Sequence, residues 1–215
     1  QLLIAQPEID VNSTSTIFYT DEKDGKRKKK YQRTILCMAV EKENIEIIQC
    51  LLSKQNIDIN AKDIHFEKYY HDILYYESQQ TALYTALTKN NNIIVNLLLE
   101  MPGIDVNYQY SLLWHSPSHG EHKYEITALH IAIEKNSIEN VKALLIQPNI
   151  NINLDSVFDK GKTTKSILMS AIETKNIEIV KLILTDPKIN ANKITKDGYH
   201  EDHWSSSERK WQEKS

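Results

Sequence analysis

The sequence predicts an all-α repeat solenoid, built from stacked helix–turn–helix units that are joined by long hairpin-like finger loops. The first observation behind this prediction is a stretch of 27 residues that recurs four times, at 34–60, 81–107, 127–153 and 166–192. The second is that each copy carries two short segments whose apolar residues have helical spacing. The tail of a further copy occupies residues 1–12. Such self-similarity is typical of units that bury their apolar faces against their neighbours.

The first helix of each copy is predicted to begin after a hydroxyl residue, whose oxygen can accept a hydrogen bond from the free amides of the first turn. These N-caps are Thr34, Thr81, Thr127 and Ser166. A leucine stands two residues after each hydroxyl, and an alanine three residues later lets neighbouring units approach closely. The aligned leucine and alanine positions therefore predict a short helix with one apolar face.

The second helix of each copy carries the larger apolar face and is followed by a proline in three complete copies, at Pro102, Pro148 and Pro187. Polar pairs such as Asn90-Asn91 separate the two helices, and asparagine tolerates the left-handed backbone of a tight turn. Each copy closes on Ile-Asp/Asn-apolar-Asn, as in Ile57 to Asn60. We expect these asparagines to form a stacked ladder that satisfies backbone groups between units.

The run Thr127-Ala128-Leu129-His130-Ile131-Ala132 resembles the first-helix signature of the ankyrin repeat, Thr-Pro-Leu-His-x-Ala, and Thr81 to Ala86 is the next closest copy. The resemblance covers all positions of the four complete copies. It departs from the family in having no proline after the hydroxyl and no glycine in the inter-helix turn. Neither change threatens the fold, because a proline at the first helical position helps but is not required.

The resemblance implies a protein-binding function and a concave surface at the end of each first helix. It assigns to that surface a row of mixed charge, from which we select Glu41, Lys42, Lys89, Glu134 and Lys135 as candidate partner-binding residues. A solvated face is the alternative interpretation of this row.

Four long inter-repeat segments, here called fingers, depart from an ordinary repeat, which leaves about 6 residues between units. They span residues 13–33, 61–80, 108–126 and 154–165, and a tail at 193–215 resembles a further finger. Of the 17 aromatic residues, all but Tyr84 lie in these segments, which predicts a protein interface. The candidate binding aromatics are Tyr69, Tyr70, Tyr75, Tyr76, Tyr108, Tyr110, Trp114, Tyr124 and Trp204. The alternative is that these side chains pack on one another to keep the fingers ordered.

Composition places bounds on the function of the chain. With 215 residues, 40% of them apolar, the repeats predict one elongated domain, and the interrupted copies at both ends predict a fragment of a longer chain. The net charge of −3 disfavours a nucleic-acid partner, and no apolar run approaches the roughly 20 residues that span a bilayer.

The two cysteines, Cys37 and Cys50, occupy packing positions of the repeat and are expected to be free thiols. Free thiols favour an intracellular location, and we expect the cytoplasm rather than the nucleus.

Two further motifs allow more than one interpretation. The basic run Lys23 to Lys30, which has Asp21, Glu22 and Asp24 alongside, is either a solvated loop or a patch for nuclear import or phosphate. The histidines of the third finger, at 115, 119 and 122, have spacings that could chelate a metal, but no cysteine accompanies them, so no metal is predicted.

No nucleophile elbow, complete phosphate-binding loop or acid pair appears. The sequence therefore predicts a non-enzymatic module without a cofactor that binds a protein partner. The alternative is a regulatory or substrate-targeting segment of a larger multidomain enzyme.

Overall fold

The computed structural model describes residues 10–20, 27–69, 74–116, 120–158 and 163–195. Eight helices lie in these residues, two in each complete repeat. They are α1 (Ile35–Glu41), α2 (Ile45–Leu52), α3 (Ala82–Thr88), α4 (Asn92–Leu99), α5 (Ala128–Glu134), α6 (Ile138–Leu145), α7 (Ile167–Glu173) and α8 (Ile177–Thr185).

The hydroxyl N-caps predicted for the first helices are confirmed. Each side-chain oxygen accepts from the backbone amide three residues later, as Thr34 does from Cys37 at 3.1 Å. The turn between the helices places one residue in the left-handed region in every repeat, and these residues are Glu43, Asn90, Asn136 and Lys175. Asparagine accepts this backbone readily, whereas glutamate and lysine adopt it at some cost.

The fingers contain regular strands, so the prediction of an all-α solenoid is wrong. The strands are β1 (Thr14–Thr20), β2 (Arg27–Thr34), β3 (Lys62–Tyr69), β4 (Leu74–Thr81), β5 (Gln109–Ser116), β6 (Gly120–Thr127), β7 (Ser156–Phe158) and β8 (Thr163–Lys165). They form one antiparallel sheet in the order β1 to β8, which makes the architecture mixed α and β. Each finger is a hairpin, and neighbouring hairpins also pair, because the stacked helices hold them side by side.

The pairing between hairpins is extensive. Among the described residues, six residue pairs join β2 to β3 and five join β4 to β5, whereas β6 and β7 share one pair. The fourth finger is the shortest, and its strands have three residues each. The sheet is therefore strongest where the fingers are long.

The hydrophobic core runs through the stack of helices. Its largest fully buried side chains include Ile48, Leu83, Ile94, Leu129 and Leu144, contributed by both helices of successive repeats. The predicted alanine column is also buried, with Ala86, Ala132 and Ala171 fully inaccessible. First helices contact the first helix of the next repeat throughout the stack, and the second helices α4, α6 and α8 contact one another in order.

The predicted asparagine ladder is confirmed. Asn60 donates to the carbonyl of Gly103 at 2.8 Å and accepts from the amide of Asp105 at 2.8 Å. Asn12, Asn107 and Asn153 make the equivalent pair of hydrogen bonds to the following repeat. One side chain thus satisfies two backbone groups across each repeat boundary.

Within the described part of the chain, none of the helices combines the length and apolar character that crossing a bilayer requires.

Candidate functional site

Strand alternation sorts the finger side chains onto two faces of the sheet. Following the register across the strands, one face carries Tyr19, Lys29, Glu67, Tyr76, Trp114 and His122 in a single row. The adjacent row on the opposite face carries Phe18, Lys30, Phe66, Glu77, Leu113 and Lys123. We call these the inner and the outer face of the sheet.

The inner face meets the first helices of the repeats. Tyr110, on the inner face of β5, stacks on Tyr84 of α3 with ring centroids 4.0 Å apart. Lys165 of β8 reaches Glu173 at the end of α7 at 2.7 Å, and Arg33 of β2 pairs with Glu41 at the end of α1. The inner face and the ends of the first helices therefore lie side by side, and we call the space between them the groove, with a sheet wall and a helix wall.

Half-exposed aromatic rings line the sheet wall of this groove. Tyr31 stacks on His65 with centroids 4.3 Å apart, and His65 contacts Tyr76 at 4.9 Å. Further along, Trp114 stacks on His122 at 5.2 Å. Burial lowers the pKa of His65, so this ring is neutral at physiological pH. The row offers flat, rigid surface with a polar edge, which suits a protein interface.

Other candidate aromatics lie deeper and pack within the protein. Tyr110 is only 8% exposed, and Tyr124 packs against the core and contacts Phe158 at 5.1 Å. Burial raises the pKa of both phenols, and it raises the pKa of the neighbouring Tyr84 to about 12. Tyr108 lies under the ammonium group of Lys62, at 4.5 Å from its ring centre. These side chains fit the self-packing alternative.

Four candidate aromatics cannot be placed on either wall. Tyr69 and Tyr75 belong to β3 and β4, but their side chains lie outside the described part of the protein. Tyr70 and Trp204 lie outside the described residues altogether.

The helix wall carries the predicted charged row. Glu41 is half-buried and paired with Arg33, whereas Glu134 is exposed. The C-caps of α1, α3 and α5 are exposed lysines that form a column along the stack: Lys42, Lys89 and Lys135. Lys89 lies 3.5 Å from Glu43 of the preceding repeat. The rim of the groove thus carries charges of both signs, with the three lysines aligned along it.

Two buried carboxylates were missed by the sequence interpretation. Asp63 is 5% exposed, and it accepts from the amide of Thr34 at 2.7 Å and from Arg33 at 3.1 Å. Glu67 is 3% exposed and pairs with Lys29 at 2.8 Å. Both acids neutralise cations of the neighbouring finger across the β2–β3 boundary. Only the register brings these groups together, so no local pattern could have identified them.

The described histidines of the third finger lie on opposite faces of the sheet. His115 pairs with Glu121 on the outer face, whereas His122 pairs with Trp114 on the inner face, and His119 lies outside the described residues. Among the described residues there is no group of three histidine, cysteine, aspartate or glutamate side chains that could hold a metal ion.

The side chain of His130 joins the start of α5 to the last strand of the fourth finger. The ring is fully buried, with Nδ1 at 2.8 Å from the hydroxyl of Thr127 and Nε2 at 3.1 Å from the carbonyl oxygen of Lys165. Burial lowers its pKa to about 4, so the imidazole is neutral. The matching position in the first repeat holds Cys37, whose thiol pKa is raised to about 12 by burial. Both Cys37 and Cys50 are free thiols.

Comparison with known proteins agrees with the repeat geometry. No curated protein matched the sequence at a significant level. A family model for ankyrin repeats matches in three overlapping copies, at residues 3–110, 68–156 and 109–197. Ankyrin repeats are generally modules of protein–protein interaction. With paired helices, capped hydroxyl signatures and a family match over most of its length, the chain belongs to the ankyrin-repeat family.

Proposed function

We propose that the protein is a non-enzymatic interaction module, working inside the cell, that holds a segment of a partner protein in the groove between the inner face of the sheet and the first helices. The observation that carries this proposal is the row of half-exposed rings, Tyr31, His65, Tyr76, Trp114 and His122, beside a column of exposed lysines. Aromatic anchors of this kind dominate the affinity of protein interfaces.

The two walls suggest a chemistry for the partner segment. Apolar or aromatic side chains would lie against the rings of the sheet wall, where apolar area is removed from water. Acidic side chains would lie toward Lys42, Lys89 and Lys135, which adds selectivity and speeds association more than it adds affinity. The deeper tyrosines, Tyr110 and Tyr124, would support the wall without contacting the partner.

The test is to select binding peptides from a random library displayed on phage and to measure their affinity for two matched double variants. Tyr76→Ala/Trp114→Ala removes a cross-strand pair from the inner face. Glu77→Ala/Leu113→Ala removes the neighbouring pair from the outer face of the same two strands. We expect the inner pair to weaken binding tenfold or more, about 1.4 kcal/mol or more, and the outer pair to change it by less than about twofold.

Circular dichroism and thermal unfolding of both variants check that the fold is kept. Equal weakening by the two variants, or failure to select any binding peptide, would overturn the proposal. A larger loss of stability for the inner pair than for the outer pair, without loss of binding, would instead assign Tyr76 and Trp114 to packing.

A further inference from the structure

The first strand lies at one edge of the sheet, and its side chains are exposed. Among the described residues, β1 pairs with β2 on one side and with no strand on the other. Its three large side chains, Ile17, Phe18 and Tyr19, are 41%, 71% and 55% exposed. An edge strand also presents a row of backbone N–H and C=O groups that can pair with a further strand. This edge therefore offers both backbone hydrogen-bonding groups and apolar side chains to a partner.

β1 lacks the features that usually prevent pairing at the edge of a sheet. Natural proteins place charged side chains, prolines or bulges there. The run Thr14 to Thr20 has no charged residue and no proline, and its seven residues pair one to one with β2, without a bulge. Because the strand is neutral, it would recognise a partner through backbone pairing and apolar contact rather than through charge.

The rest of the sheet shows which kind of strand fits this edge. β3 and β5 are the first strands of their fingers, as β1 is, and each pairs antiparallel with the second strand of the preceding finger. Counted from the ladder asparagines, Ser15 and Tyr19 are equivalent to Asp63 and Glu67 of β3. Asp63 and Glu67 are 5% and 3% exposed, because β2 covers that side of β3. A strand that paired with β1 as β2 pairs with β3 would continue the sheet with the same geometry.

We propose that β1 is a docking edge that takes an extended, nearly uncharged segment of a partner protein as an additional antiparallel strand. In this mode of recognition, main-chain hydrogen bonds give affinity and alternate side chains give specificity. β4 is an example of such a segment inside this protein, because Leu74 to Thr81 contains one charged residue and two adjacent tyrosines. In the β4–β5 pair, Tyr76 stands opposite Trp114, whose equivalent in β1 is Tyr19. We therefore expect an aromatic side chain of the partner to lie opposite Tyr19, since aromatic cross-strand pairs stabilise a sheet.

The test is disulfide trapping between the full chain and synthetic peptides that carry the β4 sequence. The strand peptide is Leu-Tyr-Tyr-Glu-Ser-Cys-Gln-Thr, with cysteine at the position of Gln79. Gln79 stands opposite Ser111 of β5, whose equivalent in β1 is Thr16, so the protein carries Thr16→Cys. Cys50→Ser removes the half-buried native thiol, and Cys37 is buried.

A control peptide and two variants separate strand addition from ordinary thiol reaction. In the control peptide two prolines replace Glu-Ser, because one of any two consecutive residues directs its N–H toward β1 and proline has no N–H. We expect the strand peptide to give about tenfold more mixed disulfide than the proline peptide, read by mass spectrometry after equilibration in glutathione buffer. Tyr19→Thr should lower the yield from the strand peptide about threefold. Ile93→Thr, at a 60% exposed position of α4, should leave this yield unchanged.

Three outcomes would overturn the docking edge. Equal yields from the two peptides, or an equal effect of the two variants, would rule out strand pairing at β1. Sedimentation velocity without peptide tests a second copy as the occupant, and a dimer that Tyr19→Thr dissociates would assign the edge to β1 of another molecule instead. The groove residues Tyr76 and Trp114 lie on β4 and β5, so the docking edge and the groove can fail separately.

Discussion

At the scale of single residues, one position of the repeat shows how the same backbone accepts different side chains. The third residue after each N-cap is Cys37, Tyr84, His130 or Met169. His130 hydrogen-bonds across to the carbonyl of Lys165, Tyr84 stacks on Tyr110, and the buried thiol of Cys37 lies 4.0 Å from the carbonyl oxygen of Ala61. The signature predicts the first helix of every repeat, because formation of this helix depends on the capping hydroxyl and on the apolar positions, which all four repeats share. What this one side chain contacts depends on the finger beside it.

His130 should make the stability of the protein depend on pH. Its pKa is about 4 in the folded protein, below the ordinary value near 6.5, so the unfolded chain binds the proton more tightly. The stabilising contribution is therefore complete above about pH 6.5 and is lost as the pH falls toward 4, by up to about 3 kcal/mol. Urea unfolding between these pH values should show a smaller loss for His130→Met, which introduces the residue of the fourth repeat. Parallel slopes for the two proteins would contradict the prediction.

The asparagine ladder should contribute measurably to stability although it lies near the surface. Asn107→Ala leaves the amide of Asn151 and the carbonyl of Asn149 without their side-chain partner. We expect a loss of about 1–2 kcal/mol in the free energy of unfolding. Asn96→Ala, at an exposed position of α4, is the control and should change stability by less than about 0.5 kcal/mol. Equal effects would show that water replaces the ladder without cost.

At the scale of elements, the helices were predictable from sequence and the strands were not. Helix starts follow from a hydroxyl before an apolar period of about 3.6 residues, and this signal is local. The run Thr14 to Thr20 is rich in β-branched and aromatic residues, a composition typical of strands. This local signal does not distinguish a hairpin-like loop on its own from a strand that belongs to a larger sheet. Pairing between hairpins depends on the stacking distance of the helices, which no single finger encodes.

A disulfide can test the register between neighbouring hairpins. Gln79 of β4 is directly opposite Ser111 of β5, so Gln79→Cys/Ser111→Cys should form a disulfide readily on oxidation. Gln79→Cys/Leu113→Cys is the control, because diagonal positions lie about 7–8 Å apart and fit a disulfide poorly. Cys50→Ser removes the half-buried native thiol from both proteins. Non-reducing electrophoresis with mass spectrometry of the linked peptides gives the readout, and equal cross-linking would mean that the hairpins are not paired in this register.

At the scale of the whole molecule, two continuous structures run side by side through the repeats. The helices form one stacked core, and the fingers form one sheet whose hairpins are held together by strand pairing and by pairs such as Lys29–Glu67. The sequence predicted partner-binding residues on the fingers and on the first-helix ends, but not which finger aromatics lie on the face of the sheet that meets those ends. That distinction depends on strand alternation, which separates Trp114 from Leu113 and Tyr31 from Lys30.

The continuity of the sheet predicts an asymmetric response when one finger is shortened. Replacing residues 64–79 by Asn-Gly joins Asp63 to Gln80 through a tight turn and removes most of β3 and β4. The helices should remain folded, because their core lies outside the fingers. The first finger would be left as a two-stranded hairpin, which is marginally stable in water, whereas β5 to β8 would still pair with one another.

Hydrogen exchange read by mass spectrometry should therefore show lost amide protection in β1 and β2 and retained protection in β5 and β6. Shortening the fourth finger between Ser156 and Lys165 is the control, because β1 to β6 remain paired without it. If the first finger kept its protection in the shortened protein, each hairpin would be stable by itself. The sheet would then be a consequence of helix stacking that adds nothing to the order of the fingers.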